Sequence, residues 1–225
     1  NLHGEQQWGV RRRRRRHEVA AWLTIAELRR LLVVFAHPLA DSLSGTLKSA
    51  VIDGIEEGGG IADLIDLYAD DFDPRLSKDE RTQFVQPGYT PPEDAADYCN
   101  RLSVADGLVF VFPQWWFGMP AILKGFVDRV FVPGVAFDPD PAGGQLIPRL
   151  SNIKTFDVIT TTGSPWWITE LYMRNPVRRQ IKNGIGKFCG NGVKFRMHSL
   201  YNLDRATRSD CEKFIVRVRA SFRSS

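Results

Sequence analysis

The run Leu31-Leu32-Val33-Val34-Phe35-Ala36, followed at once by His37-Pro38-Leu39-Ala40-Asp41-Ser42-Leu43-Ser44, decides the fold. Six apolar residues without alternation suit a strand whose sheet is covered on both faces, which is the situation of a parallel sheet. The polar loop behind it offers Ser42 or Ser44 as the N-cap of a helix that runs to about Glu57 and stops at Gly58-Gly59-Gly60. The same unit recurs along the chain. Ile61 to Leu67 reads as a second strand, Glu93 to Ala105 as a helix, and Gly107 to Phe112 as a third strand stopped by Pro113. Ala121 to Phe131 continues as a helix with Pro120 at its first turn. Thr155 to Thr160 is a fourth strand, Trp166 to Cys189 is mainly helical with a break at Asn183-Gly184, Val193 to Leu200 is a fifth strand, and Thr207 to about Phe222 is the last helix. Tyr68 to Pro92, which holds Pro74, Pro87, Pro91 and Pro92, reads as a long connection of the kind that usually carries function. Strands alternating with helices, without an internal repeat or an interior linker, predict one doubly wound α/β domain spanning residues 31–225.

Composition narrows the function. No stretch approaches the roughly 18 to 20 apolar residues of a helical membrane span. The formal charge of +4 suggests nucleic acid until it is divided along the chain. Residues 1–30 hold eight arginines, six of them in the run Arg11 to Arg16, against Glu5, Glu18 and Glu27, while the remainder carries 22 basic and 23 acidic side chains. Counterion release needs clustered cations, and the domain has no excess of them, so nucleic-acid binding is not expected as its main function. The Arg-rich extension 1–30 reads as a solvated tail outside the domain rather than a transit peptide or a tether. Cys99, Cys189 and Cys211 are far apart, with no C-x-x-C pair and no histidine at metal-ligand spacing, which fits reduced thiols in a cytoplasmic protein and no metal site.

In doubly wound sheets, ligands bind beyond the carboxyl ends of the strands. Three loops with unusual residues sit there. The first, His37 to Ser44, combines a helix N-terminus with serine hydroxyls and an imidazole, a phosphate-binding chemistry, although it has neither G-x-G-x-x-G nor G-K-[ST]. The second, Pro113-Gln114-Trp115-Trp116-Phe117-Gly118-Met119-Pro120, presents three consecutive aromatics that strand alternation cannot all bury, which suits a flat conjugated ligand. The third, Thr161-Thr162-Gly163-Ser164-Pro165-Trp166-Trp167, combines hydroxyls, a glycine and two more aromatics.

The segments VVFAHPLADSLSGTL (33–47), DLIDLYADDFDP (63–74), FVFPQWWFGMPAILKGFVDRVF (110–131) and TTTGSPWW (160–167) resemble the NAD(P)H:quinone oxidoreductases of the flavodoxin-like fold. That resemblance implies a five-stranded parallel sheet holding a flavin, FAD with FMN as the alternative. On it, His37, Ser42, Leu43 and Ser44 would contact the flavin phosphates. Pro113, Gln114, Trp115, Trp116 and Phe117 would line the ring and ribityl chain, with Thr161, Thr162, Gly163 and Ser164 at the ring edge. Trp116, Phe117, Gly118, Trp166 and Tyr201 would meet the substrate in a protein expected to be a homodimer. For His198 and Tyr201, after the last strand, ordinary strand-end polarity is expected ahead of a reach into the site of a partner subunit. The implied reaction is ping-pong: NAD(P)H reduces the flavin and leaves, and a quinone takes the hydride from the same place. The resemblance also departs from the family. Well-studied members carry a tyrosine and a histidine after the Thr-Thr-Gly stretch, where this chain reads Pro165-Trp166-Trp167-Ile168-Thr169-Glu170, so no acid/base residue follows from it. The departure keeps open a regulatory alternative, an ancillary flavoprotein subunit of a potassium-efflux system. For Lys124 and Asp128, four apart on a helix, a solvated ion pair is expected.

Overall fold

The computed structural model describes residues 28–223 apart from 85 and 87, so the arginine run lies outside the described residues. In chain order the elements are β1 (Arg30–Phe35), α1 (Leu43–Glu57), β2 (Ile61–Asp66), α2 (Lys78–Gln83), α3 (Glu93–Val104), β3 (Gly107–Pro113) and α4 (Ala121–Val130). There follow a short antiparallel pair, β4 (Phe137–Asp138) and β5 (Ile147–Pro148), then β6 (Thr155–Thr161), α5 (Pro176–Arg179), β7 (Lys194–Leu200) and α6 (Arg208–Arg223). The main sheet runs β2-β1-β3-β6-β7 and is parallel throughout. The order reverses between β1 and β3, which creates the crevice at their carboxyl ends.

The apolar runs divide by alternation, as a sheet covered on both faces requires. Leu32, Val34, Leu108, Phe110, Phe112, Phe156 and Val158 pack with Leu102 of α3 and with Leu123 and Phe126 of α4. Leu31, Val33, Phe35, Val109, Val111 and Ile159 pack on the other face with Leu47, Val51 and Ile55 of α1 and Phe214, Val218 and Phe222 of α6. Each large side chain so buried stabilises the fold by roughly 1.5–3 kcal/mol.

Two segments differ from the sequence expectation. The connection from Tyr68 to Pro92 contains α2, started by a capping box in which Ser77 Oγ accepts from the Glu80 amide while Glu80 accepts from the Ser77 amide. It is clamped to the body of the domain. The buried guanidinium of Arg129 donates to Asp73 O (2.7 Å), Glu80 Oε1 (2.8 Å) and both Asp94 carboxylate oxygens (2.9 Å). A Cβ on Gly125 would lie 2.2 Å from Pro74 O, so the loop rests directly on α4. The segment Trp166 to Cys189 is not broken at Asn183-Gly184, where a π-helical turn, Gln180–Ile185, runs through and leads into a 3-10 turn, Gly186–Cys189. It breaks at Arg174 and Asn175, which adopt left-handed φ values of 53° and 40°. The cause is Pro176, whose ring disfavours helical backbone at the preceding residue and which itself opens α5.

Candidate active site

The three loops meet. The Gln114 amide donates to Thr161 O (2.8 Å), joining the second loop to the third, and the rings of His37 and Trp115 lie 6.2 Å apart, joining the first to the second. The third loop is braced from behind, because the Thr162 amide donates to Leu200 O (2.9 Å) and the Asn202 amide to Ser164 O (2.9 Å).

At the first loop, Ser42 is the N-cap. Its Oγ accepts from the Gly45 amide (3.1 Å) and donates to Leu39 O (2.7 Å). The backbone N–H groups of Leu43 and Ser44, at the start of α1, have no intrahelical acceptor, and with the positive end of the helix dipole they form an anion-binding terminus. His37 Nδ1 lies 3.0 Å from the Leu39 amide and 3.1 Å from Leu39 O, which holds the imidazole against the first loop. Gly45 lets the loop close onto the helix, since a Cβ there would sit 1.9 Å from Ala40 O.

The second loop holds the unusual backbone. Trp115 and Gly118 exchange both hydrogen bonds (3.2 and 2.9 Å) around Trp116 and Phe117, whose φ values are 53° and 58°. A two-residue turn with both central residues left-handed normally takes Asn-Gly. Placing Trp and Phe there costs on the order of 1–2 kcal/mol per residue, and the result leaves Trp116 99% exposed. Beneath the turn, Gln114 is only 7% exposed, and neither its Nε2 nor its Oε1 has a partner. A buried amide left unpaired costs roughly 1–3 kcal/mol, so this recess is chemically incomplete without a polar ligand edge.

The third loop places Thr161 and Thr162 in the buried floor and Trp166 and Trp167 at the rim, 53% and 58% exposed. A Cβ on Gly163 would lie 2.7 Å from the Asp204 carboxylate, so Asp204 stands directly beside this loop. Tyr201 donates its hydroxyl to Glu170 Oε1 (2.5 Å) within the same chain. Burial and that carboxylate push its pKa up to about 12. His198 does not reach the crevice of this chain. It pairs in register with Ile159, on the sheet face covered by α6, and its Nε2 is buried without a partner. Lys124 and Asp128 form a half-exposed ion pair (2.5 Å), the role expected of them. Sequence reading missed Glu170 and Asn175; the only available signal was Asn175 standing before Pro176.

The chain matches the family described as flavodoxin-like fold over residues 29–217. It belongs to that family. Among curated relatives, the ribosyldihydronicotinamide dehydrogenase (quinone) of Pongo abelii is 34% identical over 182 residues, covering 72% of this chain and 77% of that protein. The NAD(P)H dehydrogenase (quinone) 1 of Rattus norvegicus is 32% identical over 188 residues, covering 72% of this chain and 65% of its own length. The solved NAD(P)H:quinone oxidoreductase from Methanothermobacter marburgensis superposes with a TM-score of 0.75 at 29% identity, covering 87% of this chain and 98% of that one. Within the flavodoxin-like family the chain therefore stands with NAD(P)H dehydrogenase (quinone) oxidoreductases.

Proposed function

We propose that this flavodoxin-like chain is a flavin-dependent NAD(P)H oxidoreductase that passes reducing equivalents to a quinone or a similar planar acceptor. The observation that carries the reading is the unsatisfied Gln114 amide beneath a strained aromatic turn. Polar recess, flat apolar walls and anion-binding helix start are the three parts a flavin mononucleotide unit requires. His37, Ser42, Leu43 and Ser44 would hold the phosphate. Pro113, Gln114, Trp115, Trp116 and Phe117 would hold the ring and ribityl chain, and Thr161, Thr162, Gly163 and Ser164 the ring edge. Gly118, Trp166 and Tyr201, with Trp116 and Phe117, would face the substrate. A bound flavin supplies the hydride chemistry, accepting from NAD(P)H and delivering to the acceptor in ping-pong order. These contacts fall on parts common to FMN and FAD, so FAD and FMN are both accommodated, and extraction with mass measurement identifies which is present.

The exposed Leu39, Trp116, Trp166, Trp167, Leu171 and Tyr172 form an apolar rim, which supports a homodimer that covers the site. Among the described residues no helix is long and apolar enough to cross a membrane. The free thiols of Cys99, Cys189 and Cys211 are what a reducing, cytoplasmic setting would keep. The test is an absorbance spectrum of the purified protein, followed by anaerobic NADPH and then a simple quinone. A flavin spectrum that bleaches and recovers is the expected result. A bound flavin that NADPH and NADH both leave oxidised would favour the regulatory, potassium-efflux alternative, and a chain that takes up neither FAD nor FMN would overturn the site.

A further inference from the structure

Among the described residues, most arginines are matched. Arg30 and Arg101 pair with Asp63, Arg75 with Asp73, Arg129 with Glu80 and Asp94, Arg149 with Asp138, Arg196 with Asp157, Arg208 with Glu212, and Arg219 and Arg223 with Glu57. Arg81 and Arg217 lie over the rings of Phe84 and Phe214. Arg174, Arg178, Arg179 and Arg205 have neither kind of partner, and the only other described arginine of which that is true is Arg29, which precedes β1 at the amino end of the strands, opposite the crevice.

Backbone hydrogen bonds hold the segments that carry these four close to the third loop. The third loop runs straight into a π-helical turn, Ile168–Tyr172, and the Asn175 amide returns to Thr169 O (2.8 Å), which keeps Arg174 and α5 beside that loop. Arg205 lies in the turn after β7, whose Leu203 amide donates to Thr162 O (3.0 Å). The start of α5 is held by Asn175, which is buried: its Oδ1 accepts from the Arg178 amide (2.9 Å) and its Nδ2 donates to Glu170 Oε1 (2.7 Å). That same Glu170 oxygen takes the Tyr201 hydroxyl, and the exposed Asp204 carboxylate stands beside Gly163; neither carboxylate forms an ion pair with these arginines, so four cations face two carboxylates here. The local excess belongs to a wider asymmetry. Residues 149–225 carry 15 basic and 5 acidic side chains, whereas residues 31–148 carry 7 and 18.

Resting on the reading of this chain as an NAD(P)H oxidoreductase, we propose that Arg174, Arg178, Arg179 and Arg205 form a site for the 2′-phosphate of NADPH and make the chain select NADPH over NADH. The phosphate supplies nearly two negative charges that NADH lacks, and guanidinium groups bind phosphate through paired hydrogen bonds. Trp166 and Trp167, more than half exposed on the third loop, offer flat faces to the nucleotide's rings.

The experiment titrates the holoprotein calorimetrically with 2′,5′-ADP and with 5′-AMP, and compares kcat/KM for NADPH and NADH. It uses the native chain, Arg174→Gln with Arg178→Gln, and Lys187→Gln as a control at an exposed position in the Gly186–Cys189 turn. The native chain is expected to bind 2′,5′-ADP at least about tenfold more tightly than 5′-AMP, the size of one charge-assisted contact. The double variant should lose that difference while keeping its 5′-AMP affinity and flavin content, and Lys187→Gln should keep all three. Equal binding of the two nucleotides by the native chain, or a preference that survives in the double variant, would overturn the site. Loss of flavin from the double variant would overturn it too, because it assigns the arginines to the flavin's own phosphate. If the 2′,5′-ADP preference holds but neither NADPH nor NADH supports quinone reduction, the oxidoreductase reading fails and the phosphate site stands.

Discussion

Gln114 and Trp116 represent opposite ways of spending stability on a site. Gln114 buries two polar atoms without partners, and Trp116 holds a large, fully exposed side chain on left-handed backbone. Neither arrangement benefits the ligand-free fold, so removing either should stabilise the free protein and weaken ligand binding. For Trp116→Asn, which suits positive φ and loses no burial, a gain of about 1 kcal/mol in urea unfolding is expected, together with weaker flavin or quinone affinity. A gain in stability with unchanged affinity would show that the turn's strain has no functional role. For Gln114→Leu, the free protein should be as stable as the native chain or more so, while flavin affinity measured by fluorescence quenching falls by about tenfold, one lost polar contact. How far these roles are legible in sequence follows from the same chemistry. Three consecutive aromatics at a strand end announce exposure, because alternation cannot bury them all. The left-handed turn is not announced, because Trp-Phe replaces the Asn-Gly that would signal it.

At the scale of elements, the contrast between Gly45 and Gly163 shows which part of the site is rigid. A methyl group on Gly45 meets the backbone carbonyl of Ala40 at 1.9 Å, and backbone at a helix start cannot move without opening the first loop. A methyl group on Gly163 meets the end of the Asp204 side chain at 2.7 Å, and Asp204 is exposed and free to turn aside. Gly45→Ala should therefore cost about 1–3 kcal/mol of stability and impair phosphate binding, whereas Gly163→Ala should cost less than about 1 kcal/mol. Thermal unfolding with and without added flavin separates the two, and equal costs would refute this assignment of rigidity. The first element is readable in advance because its N-cap serine and its strand both carry strong local patterns. The connection from Tyr68 to Pro92 reads as a functional loop because its order comes from Arg129, which lies far away in sequence, and only the Ser77-x-x-Glu80 spacing marks the helix within it. The same holds for the break before Pro176: the glycine at 184 is the obvious local signal, yet the proline determines the geometry.

For the molecule as a whole, periodicity plus handedness narrows the strand order to a few arrangements, of which the chain takes β2-β1-β3-β6-β7. The charge pairing across the sheet does not follow from pattern, and it gives the fold a pH dependence. Asp157 is fully buried and bonded to Arg196, with Nε donating to Oδ1 (2.5 Å), on the sheet face where His198 lies beneath α6. Burial lowers the His198 pKa below its ordinary value near 6.5. Asp157 partly opposes that shift, while Arg196 and Arg217 reinforce it. A lowered folded-state pKa means that the unfolded chain binds the proton more readily, so stability falls as pH drops below about 6.5 towards the folded-state value. Glu80, also lowered from 4.5, through Ser77 and Arg129 against a raising effect of burial, adds a loss of the same sign at more acid pH. Asp157 acts in the opposite sense: burial raises its pKa, so its contribution is present below 3.8 and is lost as pH rises through its folded value. The two acidic-side losses occupy different windows, which makes them separable. Melting temperature followed from pH 8 to pH 2 should decline in two stages, one below about 6.5 and one below about 4.5, and His198→Asn should flatten the first stage and leave the second. If His198→Asn leaves the decline below pH 6.5 intact, the buried imidazole is not its source. If Glu80→Gln also removes the first stage, the two groups are coupled through the sheet rather than titrating independently.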